Sequence, residues 1–242
     1  MKRFKFFTAI AGILLASMTL NSCSDDGYSL GDFWVEVATV YQEGNDWYSL
    51  TLDDGTTLWP ASPLYRPAGL KYNQRVLVDY TILSDSMSGF DHYIKVNALQ
   101  KILTKEVAEN KGVENDSIYG TDPVKIYNLW TGDGFLNIDF GFNAGGGVSH
   151  FVNLLQDSTS SASPYAFEFR HNAYDDHASY GQRGLVAFKL PDFETGEEEI
   201  TLLIKVKTFE GEKEYELIYT PQRKATFTNR KISKETYSTE IK

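Results

Sequence analysis

Apolar and polar positions alternate along most of this chain. In RVLVDYTIL, Val76, Val78, Tyr80 and Ile82 fall on one face, and Ile94, Val96 and Ala98 do so in the next segment. The same period groups Leu136, Ile138, Phe140 and Phe142, then Tyr165, Phe167 and Phe169, then Val186 and Phe188. Ile200, Leu202, Ile204 and Val206 follow, and then Tyr215, Leu217 and Tyr219. Period-two runs build half-buried strands of antiparallel sheets, whereas an amphipathic helix repeats every three to four residues. Turn-forming clusters separate the runs: Asp53-Asp54-Gly55, Gly132-Asp133-Gly134, Gly145-Gly146-Gly147 and Glu210-Gly211. The pattern predicts an all-β protein.

Spacing divides the strands into two groups. Residues 33–42, 47–52, 56–59, 75–84 and 92–102 form five, with the stretch PASPLYRPAGLKYN between the third and fourth. Its three prolines rule out a regular helix. Five strands with the long connection after the third fit a small OB-type five-strand barrel over residues 30–103. Residues 104–122 are polar and charged, with one helical hint beginning at Thr104 as a possible N-cap, and read as an interdomain linker. Residues 123–221 carry about seven strands at sandwich spacing, which predicts an Ig-like seven-strand β-sandwich. The linker is expected to separate two independently folding units and to be the first site of proteolysis.

The amino terminus breaks this pattern. Lys2, Arg3 and Lys5 precede an apolar run from Phe6 to about Leu20. That is short of the roughly 20 residues a membrane span needs and has the layout of an export signal over residues 1–22. Leu20-Asn21-Ser22-Cys23 resembles a bacterial lipobox, whose cysteine becomes thioether-linked to diacylglycerol and then acylated. Cys23 is the sole cysteine, so an internal disulfide is excluded. Residues 23–29 form an acidic tether. Ser24, Asp25 and Asp26 within it resemble the export tag that carries Bacteroidota-type lipoproteins to the cell surface. The expected location is the outer membrane, lipid-anchored at its surface, with the periplasmic face as the alternative.

Charge narrows the partners. Removing the three basic residues of the signal takes the net charge from −10 to −13. So acidic a chain repels a phosphate backbone, which disfavours nucleic acid. Residues 222–242 form a basic tail in which Arg223, Lys224, Arg230, Lys231, Lys234 and Lys242 outnumber Glu235 and Glu240. Such a tail is solvated or docks on its own acidic body, or else contacts anionic partners.

The lipobox, the DGTTLWP hairpin, the KYNQRVLVDY strand and the seven-strand sandwich together resemble the NigD-like lipoproteins. The resemblance covers essentially the whole mature chain. It implies an N-terminal OB domain, a C-terminal β-sandwich and no catalytic residues to carry over. The family takes its name from a bacteriocin immunity protein. The expectation is therefore a non-enzymatic, surface-anchored outer-membrane lipoprotein acting as a binding or protective, immunity-type module for an unknown protein or glycan ligand. The alternative is an extracellular glycan-binding accessory protein. No cofactor is expected beyond the covalent lipid on Cys23.

Candidate chemistry is sparse. No phosphate-cradling glycine motif, HExxH or GxSxG occurs. His171, Asp175 and His177 are weak metal candidates, because His171 and the nearby His150 sit at parities that face inward. Asp53 and Asp54 read as turn residues rather than a glycosidase pair. The aromatic residues are the strongest lead. Trp34, Trp47, Trp59 and Trp130 accompany 15 tyrosines. Trp59, beside the proline-rich loop, and Tyr65, within it, are the candidate ligand-binding residues, since exposed aromatic platforms stack on sugars and OB folds bind oligosaccharides; the other reading of such residues is core or interdomain packing.

Overall fold

The structure is a computed structural model that describes residues 28–44, 46–86, 88–157, 163, 165–176, 179–193, 198–221, 237 and 241–242. The signal, Cys23 and Ser24-Asp25-Asp26 lie outside the described residues. The first domain comprises β1 (Trp34–Gln42), β2 (Tyr48–Leu52), β3 (Thr57–Ser62), β4 (Arg75–Ser84) and β5 (His92–Lys101). They close a barrel in the order β1-β2-β3-β5-β4, parallel only between β3 and β5. Alternation supplies its filling: Val40, Tyr48, Leu50, Leu58, Val78 and Ile94 point inward and are buried. β3 outlasts its expected end because Pro60 faces the core. The ladder shifts register between Pro60 and Ser62, as expected where an imide cannot donate. Residues 61–74 form no helix, in keeping with their prolines.

Among the described residues the second domain has eight strands. The seven expected after residue 123 are β7 (Lys125–Gly132), β8 (Phe135–Ala144), β9 (Phe151–Gln156), β10 (Ala166–Asn172), β11 (Tyr180–Lys189), β12 (Ile200–Thr208) and β13 (Gly211–Tyr219). The eighth, β6 (Leu103–Glu106), comes from the stretch read as linker. The sheets run β13-β12-β10-β9 and β6-β11-β8-β7, packed face to face over Phe140, Phe142, Phe167, Phe169 and Phe188.

The linker is therefore not a free spacer. Thr104 caps no helix: it lies in β6 beside β11, and its hydroxyl accepts the Arg75 N–H at 3.1 Å. The Ala108 N–H donates to the Leu154 carbonyl at 2.8 Å. The short helix α1 (Asn115–Tyr119) buries Asn115 and Tyr119, and the Tyr119 hydroxyl returns to the Glu109 carbonyl at 2.8 Å. These bonds fasten the segment along the sandwich.

The two domains also share a buried seam. Val37 and Leu77 face outward from β1 and β4, yet both are buried against Trp130, Phe135, Leu185, Ala187 and Tyr237. Each such side chain contributes about 1.5–3 kcal/mol on burial. At the centre lies Arg75, wholly buried. Its guanidinium donates to Thr39 Oγ1 at 2.9 Å, to Asn137 Oδ1 at 3.2 Å and to the carboxylate of Asp53. The second Asp53 oxygen accepts the indole N–H of Trp130 at 2.7 Å. Gly132 permits this approach, because a Cβ there would overlap the Asp53 carboxyl. Asp53 is thus an interdomain partner and not only a turn residue. Asp54 keeps the turn role, accepting the Thr56 N–H at 2.7 Å and its hydroxyl at 2.8 Å.

The basic tail docks on the body at the points described. Tyr237 enters the seam, Ile241 enters the sandwich core, and Lys242 exchanges backbone hydrogen bonds with His150 and Val152 at 2.8 and 3.0 Å.

Candidate functional site

Parity on the barrel wall creates the candidate site. Leu58 and Pro60 point inward, so Trp59 between them points out. The parallel pairing of β3 with β5 sets Tyr93 opposite it. Tyr48 is the first inward residue of β2, which turns Trp47 outward, where it bridges Tyr65. The Trp59 ring is 5.9 Å from Trp47, 4.9 Å from Phe90 and 6.3 Å from Tyr93. Trp47 is 45 % exposed and Tyr65 64 % exposed, while Trp59 is half-buried beneath them. The structure so brings the two sequence candidates, Trp59 and Tyr65, onto one face through Trp47. In the sequence Trp47 stands only as one of four tryptophans, at the start of the segment 47–52. The face lies on the β3/β5 wall, across the barrel from the β1/β4 wall that meets the sandwich.

The neighbouring charges are engaged. Asp91 accepts the Thr57 N–H at 2.8 Å and its hydroxyl at 2.7 Å, which ties the β4–β5 connection to β3. The Arg66 guanidinium lies 4.7 Å above the Tyr72 ring. Trp47 meets Trp59 edge-on at 87°, while Trp59 is tilted by 50° to Phe90 and by 35° to Tyr93. A row of coplanar faces for stacking sugars is not what these angles make. They make a ridged apolar patch.

Of the three metal candidates the structure describes two, His171 and Asp175. Asp175 is exposed in a turn at φ 58°, and His177 lies outside the described residues. His171 is buried on the face of Phe167 and Phe169. Its Nε2 is 2.9 Å from His150 Nδ1, and His150 Nε2 is 3.2 Å from the Asp176 carboxylate. With Asp176 ionised, protons run one way: His150 donates to Asp176 and His171 donates to His150. Asp176 also accepts the Gly145 N–H at 2.6 Å. Burial, and next the neighbouring His150, push the His171 imidazole down to about 4. Among the described residues no group of three acidic, histidine or cysteine side chains is placed to hold a metal ion.

Two basic side chains escaped the sequence reading. Arg75 is the pivot of the seam. Lys105 lies on β6 with its ammonium 4.3 Å from the Phe151 ring centre and 2.8 Å from the Val152 carbonyl, and burial lowers it to about 8. At the barrel mouth the Tyr80 hydroxyl donates to Glu36 at 2.7 Å, and burial raises the Glu36 carboxyl.

An OB barrel seated by a buried seam on a β-sandwich, with an aromatic face on its free wall, defines a two-domain all-β protein. The chain belongs to the NigD-like family: residues 37–102 match the NigD-like N-terminal OB domain and residues 106–219 the NigD-like C-terminal beta sandwich domain. A crystal structure described as a toxin-related protein from Parabacteroides distasonis shares 51 % identity, with a TM-score of 0.70 over 79 % of this chain and 95 % of that one. A protein of unknown function from Bacteroides vulgatus shares 24 % identity with a TM-score of 0.68, covering 83 % and 94 %. A NigD-like immunity protein from Bacteroides caccae shares 20 % with a TM-score of 0.56, covering 81 % and 99 %. The last two show the fold alone, and none of these descriptions is that of an enzyme. No curated protein matches the chain. Among the described residues no helix is long and apolar enough to cross a membrane.

Proposed function

We propose that this chain is a lipid-anchored module of the outer-membrane surface that binds a protein partner in a protective, immunity-type role. The observation that carries the reading is the pair Trp47 and Tyr65, exposed on a platform of Trp59, Phe90 and Tyr93. Exposed aromatic anchors backed by half-buried ones are a common composition of an interface hot spot. The crossed ring planes weigh against the glycan alternative. The family's immunity-protein member and the toxin-related relative support the protective role. Anchoring rests on the lipobox at Cys23, and surface exposure on Ser24, Asp25 and Asp26.

Competition between kin strains tests the reading. A strain lacking the chain is expected to lose survival beside a toxin-producing relative. The wild-type chain restores survival, whereas W47A/Y65A displayed at the same surface level does not. Equal rescue by the double variant excludes the aromatic face, and equal survival without the chain excludes protection. Retention on a polysaccharide matrix that W47A abolishes would reinstate the glycan reading.

A further inference from the structure

Leu30 is 76 % exposed at the tip of a tight turn, and Leu83 is 40 % exposed near the end of β4. Both lie at the end of the barrel where the chain enters β1 and leaves β4. The turn is closed by the Asp32 N–H on the Ser29 carbonyl at 3.0 Å and the Gly31 N–H on Ser29 Oγ at 3.1 Å. Tyr28 fixes it to the barrel. Its hydroxyl donates to Asp85 at 2.5 Å, and its ring centre lies 6.4 Å from Trp34 and 6.1 Å from His92. Tyr28 and Phe33 are themselves exposed, so this end presents apolar side chains to its surroundings.

Tyr28 follows Cys23 by five positions. An extended chain advances at most ~3.3–3.6 Å per residue, so a lipid on Cys23 holds Tyr28 within about 18 Å of the anchor point. We infer that this mouth of the barrel rests on the outer-leaflet surface, with Tyr28, Leu30, Phe33 and Leu83 seated among the lipid headgroups. Tyrosine suits that layer because its ring is apolar and its hydroxyl wet. Asp32 and Asp85 stand beside these side chains, so the contact is apolar in origin and strengthens as salt screens the acids from anionic lipid. The arrangement also orients the binding face. Tyr93 pairs with Ser84, next to Leu83, and its neighbour His92 meets the Tyr28 ring, so the Tyr93 side of the aromatic face adjoins this mouth, with Trp47 and Tyr65 beyond Trp59.

This inference rests on the lipid anchor at Cys23, and one experiment separates the two. The native lipoprotein carrying L30C, L83C or, as the remote control, Y65C is labelled with a thiol-specific nitroxide. Each is then reconstituted into vesicles of equal parts phosphatidylethanolamine and phosphatidylglycerol. Power saturation gives the ratio of oxygen to nickel-chelate accessibility. The expected result is one label per chain and a ratio several-fold higher at positions 30 and 83 than at 65. One label per chain, vesicle binding and the same ratio at all three positions overturns the surface contact while leaving the anchor intact. Two labels per chain show a free Cys23 thiol and overturn the anchor, and the membrane contact with it.

Discussion

Asp53 of the barrel and Trp130 of the sandwich meet at 2.7 Å, the indole N–H donating to one carboxylate oxygen while the other receives Arg75. One side chain therefore neutralises the buried guanidinium of its own domain and satisfies the buried donor of the other. Removing it leaves Arg75 without its counter-charge, and stranding a buried charge this way costs about 3–5 kcal/mol. D53N is expected to lower the whole unfolding midpoint by that order in a single transition read by denaturant titration. Loss confined to a barrel-only transition, with the sandwich unaffected, would show that the seam does not couple the domains.

Gly132 supplies an independent handle on the same contact. A Cβ there overlaps the Asp53 carboxyl, so G132A pushes Asp53 away from Trp130 and Arg75. Both substitutions disturb one interaction, and their effects should not add. G132A/D53N is expected to be clearly more stable than the sum of the two single losses allows. Strict additivity would mean that Gly132 acts only through its backbone.

What was legible in the sequence follows from parity. Where one strand face meets the core and the other meets water, alternation reveals both, as at Val76, Val78, Tyr80 and Ile82. The seam was hidden because both faces of β4 are buried along residues 75–82. The run Arg75-Val76-Leu77-Val78 carried that signal in Leu77, an apolar residue at an outward position next to an arginine. β8 behaves the same way: Asn137 and Asp139 are buried although they face away from the sandwich core, since one meets Arg75 and the other pairs with Arg183 at 2.6 and 2.7 Å. Thr104 misled because a polar, charged stretch lacks the apolar period by which a strand is recognised. β6 is only four residues long and edge-placed, and backbone pairing with β11 defines it. On the aromatic face, Trp59 and Tyr65 were legible as residues but not as neighbours, since a β-bridge through Trp47 joins them.

Tyr237 extends the seam into the tail. Its ring is buried among Leu185, Ala187 and Ile102, beside a cavity of about 160 Å³ also lined by Leu77, Leu103 and Ile241. Burial, with Asp139 next, raises its hydroxyl to about 12. Y237A enlarges an existing void, and deleting a buried aromatic ring of this kind costs about 3–5 kcal/mol. Y237F keeps the ring and is expected to lose far less. Equal losses in thermal or denaturant unfolding would place the contribution in the hydroxyl rather than in the packing.

The histidine pair makes stability depend on pH in a defined direction. His171 is held neutral by burial, its imidazole pushed down to about 4 from an ordinary value near 6.5. Between those values the unfolded chain binds a proton that the folded chain refuses. Folding stability contributed by this group is thus complete above about pH 6.5 and is lost as pH falls towards 4. Integrated from pH 7 to pH 5, the shift amounts to about 2 kcal/mol. Denaturant midpoints taken at the two pH values should separate for the wild type. For H171Q, whose side chain fills similar space and does not titrate, the pH 7 to pH 5 difference should shrink by that amount. If H171Q loses as much stability on acidification as the wild type, the proton enters elsewhere and the one-way chain from His171 through His150 to Asp176 is wrong.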